Sequence, residues 1–238
     1  MGGQKSDNKI LWFHYKFRFS DDKVKEFRIE LDSQTLDLIP KERSSYPEWT
    51  RLSYRQCPNC PLKESEHPRC PIAANLVDVV DYFKDSLSYD EADTEIATQA
   101  RTYKKQSSLQ HGVSSLIGIY MVTSGCPIMD KLKPMVRTHL PFATLEETLY
   151  RVISMYLMAQ YFLHKSGREP DWELKNLVKL YEDIRTVNQS FWKRIADIHI
   201  EDAVLNAVIH LDCYARFVKL SLLEKGVSEI EEIFRAYF

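Results

Sequence analysis

The chain has 238 residues, 44% hydrophobic and 28% charged, which suits a globular protein long enough to bury a sizeable core. A formal net charge of -2 excludes strong electrostatic attraction to nucleic acid or an anionic membrane. No apolar run reaches the ~20 residues of a transmembrane helix, and the N-terminus lacks signal-peptide features, so reduced thiols in a cytoplasm are expected.

Residues 1–8 read as a flexible leader, although Met1-Gly2-Gly3-Gln4-Lys5-Ser6 also fits the loose myristoylation pattern. Leu11, Phe13, Tyr15, Phe17 and Phe19 then alternate with polar residues, and Phe27, Ile29 and Leu31 repeat the pattern after the turn residues Ser20 to Lys23. Period two predicts an antiparallel hairpin with one buried face, on which His14 is polar and solvated. A lone hairpin is marginal in water, so it must meet more strand or the helices. Leu36 to Arg55, broken by Pro40 and Pro47, reads as a connector anchored by Trp49.

Helical spacing begins at Ile72 and runs to Phe83, with Pro71 suited to the first helical position. Asp85 to Asp93 reads as an acidic loop, and Glu95 to Tyr103 as a third strand. Leu109 to Thr123 predicts a helix whose Gly112 and Gly118 allow a close neighbour, stopped by Ser124-Gly125 in a left-handed cap. A proline-punctuated connection follows through Pro127, Pro134 and Pro141. Thr144 and Glu147 form a capping box for a long helix, closed by Gly167 and Pro170. Asp171 caps the next helix, a third runs from Asp202 to Glu224 before Gly226, and Ser228 with Glu231 opens a terminal helix. Short connections imply antiparallel neighbours in an up-and-down bundle.

The organisation expected is α+β, a single domain over 9–238 in three parts. These are a β-rich part (9–55), a cysteine arm (56–71) and a mainly helical bundle (72–238).

Chemistry concentrates in the arm. Ten prolines in 238 residues would by chance follow about 0.2 of five cysteines. Four are followed: Cys57-Pro58, Cys60-Pro61, Cys70-Pro71 and Cys126-Pro127. Cys213, followed by Tyr214, reads as a small core residue. C-x-x-C sets two sulfurs on one tight turn, and proline after cysteine leaves the next amides free to face a thiolate. Three clustered cysteines plus a remote one suit a [4Fe–4S] cluster, and Cys-Pro recurs in iron–sulfur ligation. Zinc is the alternative, with His67 as a substitute ligand. A redox dithiol at Cys57 and Cys60 is disfavoured because no helix opens there.

A second constellation joins His111, Arg137 and His139 as candidate catalytic residues, with Glu146, Glu147 and Arg151 nearby. The plainer reading makes the two glutamates helix-start residues and His139 a packing residue. Asp202, Asn206 and His210 share one helix face and read as a polar stripe. Nucleotide-binding, hydrolase and metalloprotease motifs are absent, and no basic stripe marks nucleic-acid binding.

At CPNCPL, HPRCPIAANL, TSGCPIM and LKPMVRTHLPFATLEETLYR, the sequence resembles an uncharacterised bacterial family known only as a domain of unknown function. The resemblance covers nearly the whole chain and implies a bacterial, cytoplasmic origin, with no activity attached. Three functions stay open at this level: a metal-thiolate protein with a redox- or metal-sensing role, an enzyme with a metal centre beside a His/Arg-lined pocket, and a helical module that presents an apolar patch to a protein partner.

Overall fold

The computed structural model describes residues 10–41, 43–224 and 227–238. The leader, Gly2 and Gly226 lie outside them. The predicted hairpin forms as β1 (Ile10–Phe19) and β2 (Val24–Asp32), antiparallel, with Phe13 opposite Ile29 and Tyr15 opposite Phe27. Alternation puts Phe13, Tyr15, Phe17, Phe27, Ile29 and Leu31 in the core. On the other face, His14 and Lys16 pair with Glu26 at 3.3 and 2.9 Å. Asp22 turns the chain at φ 63°, and the Asp21 carboxylate accepts from the Lys23 amide at 3.2 Å.

The single strand expected over Glu95 to Tyr103 is instead a second hairpin. β3 (Glu91–Thr98) and β4 (Thr102–Ser108) pair antiparallel, and β3 also pairs with β1, so the sheet order is β2-β1-β3-β4. The turn has none of the usual Gly, Pro or Asn signals. Thr98 closes it: its Oγ1 accepts from the amides of Ala100 and Arg101, while its own amide donates to the Arg101 carbonyl. β4 (TYKKQSS) buries too little to show an apolar period, as befits an edge strand guarded by lysines.

The helices cover the sheet's apolar face. α1 (Pro71–Phe83) starts with its proline in the first turn and buries Ala73, Leu76, Val77, Val80 and Phe83. α2 (Leu109–Thr123) passes close to the sheet at Gly112. A Cβ there would meet Phe17 at 2.7 Å and Thr94 at 2.8 Å, whereas one on Gly118 would meet only Leu211, at 3.6 Å. The two glycines therefore have opposite tolerances. Gly112→Ala is expected to destabilise by about 1–3 kcal/mol through overpacking. Gly118→Ala is expected to stabilise by about 0.4–1 kcal/mol by reducing unfolded-chain entropy. Urea unfolding of the two variants checks the pair, and equal shifts would contradict the close approach.

α3 (Leu145–Lys165) opens on the predicted capping box and closes at Gly167, φ 77°. α4 (Lys175–Ala196) starts after Leu174 in the left-handed region. Asp171 still caps it, its carboxylate accepting from the amides of Lys175 (3.2 Å) and Asn176 (2.7 Å). α5 (Asp202–Glu224) packs between α2 and α4, so sheet and helices share one continuous core.

Four further expectations need correction. The proline-rich connection folds into a 3-10 helix over Met129–Thr138 that tolerates Pro134. The terminal helix is one turn, α6 (Ser228–Glu231), followed by a 3-10 segment, Glu232–Tyr237. Val227 holds its N-cap position with no side-chain cap, so no capping box opens it. Cys213 is exposed rather than a core residue.

Candidate functional site

The cysteine arm is docked along one stripe of α4. Asn59, between the two cysteines of the C-x-x-C, donates to the Asp183 carbonyl at 3.1 Å and to its carboxylate at 3.2 Å. The Cys57 thiol is hydrogen-bonded to the Ser190 side chain. Arg194 donates to the carbonyls of Trp49 (2.6 Å), Arg51 (2.7 Å) and Leu52 (3.4 Å). Arg55 and Tyr54 reach Asp197. At 100° per residue, positions 183, 190, 194 and 197 fall within about 60° of one another, so a single helix face holds the whole arm.

Each thiol is placed by local backbone. Cys57 and Cys60 bracket a tight turn closed by the Cys60 amide on the Cys57 carbonyl at 3.0 Å. Cys70 caps α1, its amide on the Thr50 carbonyl at 2.8 Å and its own carbonyl accepting from Ala74. Cys126 follows the left-handed Gly125 (φ 88°), and the amides of Met129 and Ile128 donate to its sulfur.

The four Cys-Pro thiols sense one another. Burial pushes the Cys57 thiol up to about 11, and Cys70, Cys126 and Cys60 each push it in the same direction while Ser190 opposes. Burial also raises Cys126, with its two amides opposing and Cys70 and Cys60 adding to the rise. Such thiols keep their protons near neutrality and are poor nucleophiles. Cys57, Cys60 and Cys70 are half-buried and Cys126 is buried. Among the described residues, no group of three or more His, Cys, Asp or Glu forms a shell for a metal ion.

Arg194 is the residue that sequence reasoning missed. It is 2% exposed and, among the described residues, forms no ion pair with a carboxylate. Burial works against its charge; the groups that favour the charge are Cys70, Cys57, Tyr54 and Cys60. A signal was present, because Arg194 stands at i+3 from Phe191 and i+7 from Val187, on the buried face of α4.

Beside the arm lies a cavity of about 390 Å³, walled by α2, the 3-10 helix, α3, α4 and α5. It draws in His111 and His139, but not Arg137, which is exposed and donates to the Ser33 carbonyl. The proposed convergence of those three therefore fails for Arg137: its backbone ends the 3-10 helix on the outer side. His139 Nε2 lies 2.7 Å from the Tyr15 hydroxyl and 3.3 Å from that of Ser115. Its residue surface is only partly covered, yet burial of the ring pulls its pKa down to about 3, and the nearby Arg151 adds to this. That is the behaviour of a packing histidine.

His210 was read only as part of a polar stripe. Its ring meets His111 and Tyr214, each at 4.9 Å, and burial draws its pKa down to about 4. Asp202 instead accepts from the Asn206 side-chain amide and from the amide and hydroxyl of Ser88. Glu147 serves the cap of α3, as the plainer reading expected. His67 is exposed on the arm, its amide bonded to the Lys63 carbonyl.

Two elements join thiols and cavity. Met129 donates its amide to Cys126 while its side chain lines the cavity. On α4, Tyr181, Ile184 and Asn188 face the cavity about two-fifths of a turn from the arm stripe. No helix among the described residues is long and apolar enough to cross a membrane.

A family model described as a domain of unknown function (DUF6901) matches residues 13–235. Comparison with curated proteins and with solved structures returned no match.

Proposed function

We propose that this chain, which belongs to the DUF6901 family, is a metal-thiolate protein whose Cys57, Cys60, Cys70 and Cys126 hold an iron–sulfur cluster. The single observation that carries this reading is the buried Arg194 guanidinium, which has no carboxylate partner among the described residues and whose charge is favoured by Cys70, Cys57 and Cys60. A buried cation needs a compensating anion. Neutral thiols do not provide one, whereas thiolates on a metal carry net negative charge beside it. The same thiols repel one another when ionised, which a metal cation reverses.

The choice of cluster over zinc rests on the sequence pattern: three cysteines clustered at 57, 60 and 70 with a remote fourth at 126 suit a [4Fe–4S] cluster, whereas structural zinc sites more often use two C-x-x-C-like pairs. The amides of Ile128 and Met129 at the Cys126 sulfur are donors of the kind that tune cluster potential. When bound, the cluster supplies one-electron chemistry; the protein's own part is to exclude water, place the amides and hold Arg194 against the thiolates. A role in redox or metal sensing in the cytoplasm follows from that chemistry, with the site also stapling the arm to the bundle.

A second reading, an enzyme with its metal centre beside a pocket, is favoured by the cavity's shared Met129 and α4. Its catalytic set would have to be drawn from the cavity wall, where Arg137 is absent.

Protein purified without oxygen is expected to be brown and to hold about four irons and four sulfides per chain. Colourless protein with about one zinc per chain would move the assignment to zinc, with His67 as the first substitute ligand to test. Metal-free protein that folds and takes up neither metal sinks both.

A further inference from the structure

The cavity beside the arm has walls of one electrostatic sign. Arg151 lies in its wall and Lys105 is exposed at its edge, 5.7 Å from the Phe142 ring centroid. No Asp or Glu is among the described residues that line it. The acid nearest to Arg151 in sequence, Glu147, is occupied at the Thr144 amide, 2.8 Å away. The imidazoles of His111, His139 and His210 are held neutral by burial, so they offer donors and acceptors but no charge. Most of the remaining lining is apolar, from Ile119, Val122, Leu132, Met135, Ile184 and Leu211.

Two polar atoms in this wall lack partners among the described residues. Asn188, 2% exposed in the middle of α4, has an unbonded Oδ1. Arg151 donates through one terminal nitrogen to the carbonyls of Met135 (3.0 Å) and Thr138 (2.9 Å), yet its Nε has none. Leaving such groups unpaired costs free energy, and unpaired groups gathered at one cavity point to a ligand that completes them. A volume of about 390 Å³ lies in the range of small-molecule sites, and an apolar wall with a few polar groups is their usual make-up.

We propose that this cavity binds a small apolar carboxylic acid, its carboxylate received by Arg151 and Asn188 and its hydrocarbon body lying along α2 and α5. One negative charge matches the single guanidinium in the wall. The carboxamide of Asn188 can flip to set its nitrogen at that unbonded position, where it donates to a carboxylate oxygen. None of the four Cys-Pro thiols lines this cavity, so the proposal does not rest on what they hold.

The test is calorimetric titration of the full-length protein, its metal content measured beforehand, with decanoate, decanol and decylamine. Decanoate is expected to bind once per chain and at least tenfold more tightly than either of the others. Arg151→Gln is expected to weaken decanoate at least tenfold while leaving decanol nearly unchanged. Because Arg151 also ties two carbonyls, a second variant guards against misfolding. Gly118→Leu places a side chain beside Leu211 in the cavity and is expected to abolish decanoate binding with the circular dichroism spectrum intact. Equal affinity for decanol, preference for decylamine, no saturable decanoate binding, or decanoate binding that survives Gly118→Leu would each overturn the proposal. None of these readings changes with metal content, so a failed metal assignment and a failed ligand site are told apart.

Discussion

Arg194→Met is expected, on the proposed metal-thiolate reading, to lower the unfolding free energy of the metal-loaded protein by about 3–5 kcal/mol, and that of the metal-free protein by clearly less. In both forms the carbonyls of Trp49, Arg51 and Leu52 lose their donor, a cost of about 1–3 kcal/mol for buried groups left unsatisfied. Only the loaded form also loses a cation beside thiolates, because in the free form the Cys57 and Cys126 thiols are held protonated by burial. The difference between the two losses measures the coupling of guanidinium to thiolate. Urea unfolding of loaded and metal-free protein, wild type and variant, gives all four numbers. Arg194→Lys restores charge without the planar fork that spans these carbonyls, so it falls between. Identical losses in the two forms would mean that Arg194 faces no thiolate, and the metal reading would lose its electrostatic support.

The second large effect is acid sensitivity. His139 has a folded pKa of about 3 against an ordinary value of 6.5, so the folded protein binds fewer protons than the unfolded chain in between. Its contribution is therefore complete above pH 6.5 and is lost progressively as pH falls towards 3. At pH 5 the loss amounts to about 2 kcal/mol from this side chain. His210, lowered to about 4, acts in the same direction, though its partial exposure and screening reduce its share. His139→Asn keeps a polar partner for Tyr15 and Ser115 but cannot titrate. The variant is expected to be less stable than wild type at pH 7.5 and to lose about 2 kcal/mol less between pH 7.5 and 5. Urea midpoints at the two pH values decide it; parallel lines for wild type and variant would show that His139 is not a buried neutral group.

The arm shows how far residue order can be read. Proline after cysteine separated Cys57, Cys60, Cys70 and Cys126 from Cys213, and the structure sets those four in electrostatic reach of one another while Cys213 is exposed on α5. Arg194 was invisible to motif reading because its role comes from carbonyls more than 140 positions away in sequence. The cavity was half visible. His111 and His139 drew attention as histidines, but Arg137 differs from Arg151 only in which way its helix turns it.

What the sequence determined by itself is whatever depends on local periodicity and local chemistry. The β1–β2 hairpin follows from strict alternation over ten residues, α3 from Thr144 and Glu147 three apart, and α1 from a proline placed where its missing amide costs nothing. Where the local signal is weak, tertiary packing decided. β4 exists because β3 offers it a ladder, not because TYKKQSS favours a strand, and its turn closes on Thr98 alone. Only the three-dimensional fold could lay the arm along α4, enclose the cavity between α2 and α5, and bring Arg194 onto the carbonyls of the segment before the arm. Those relations join residues far apart in the chain, and their energies come from desolvation and charge at close range, which no local pattern records.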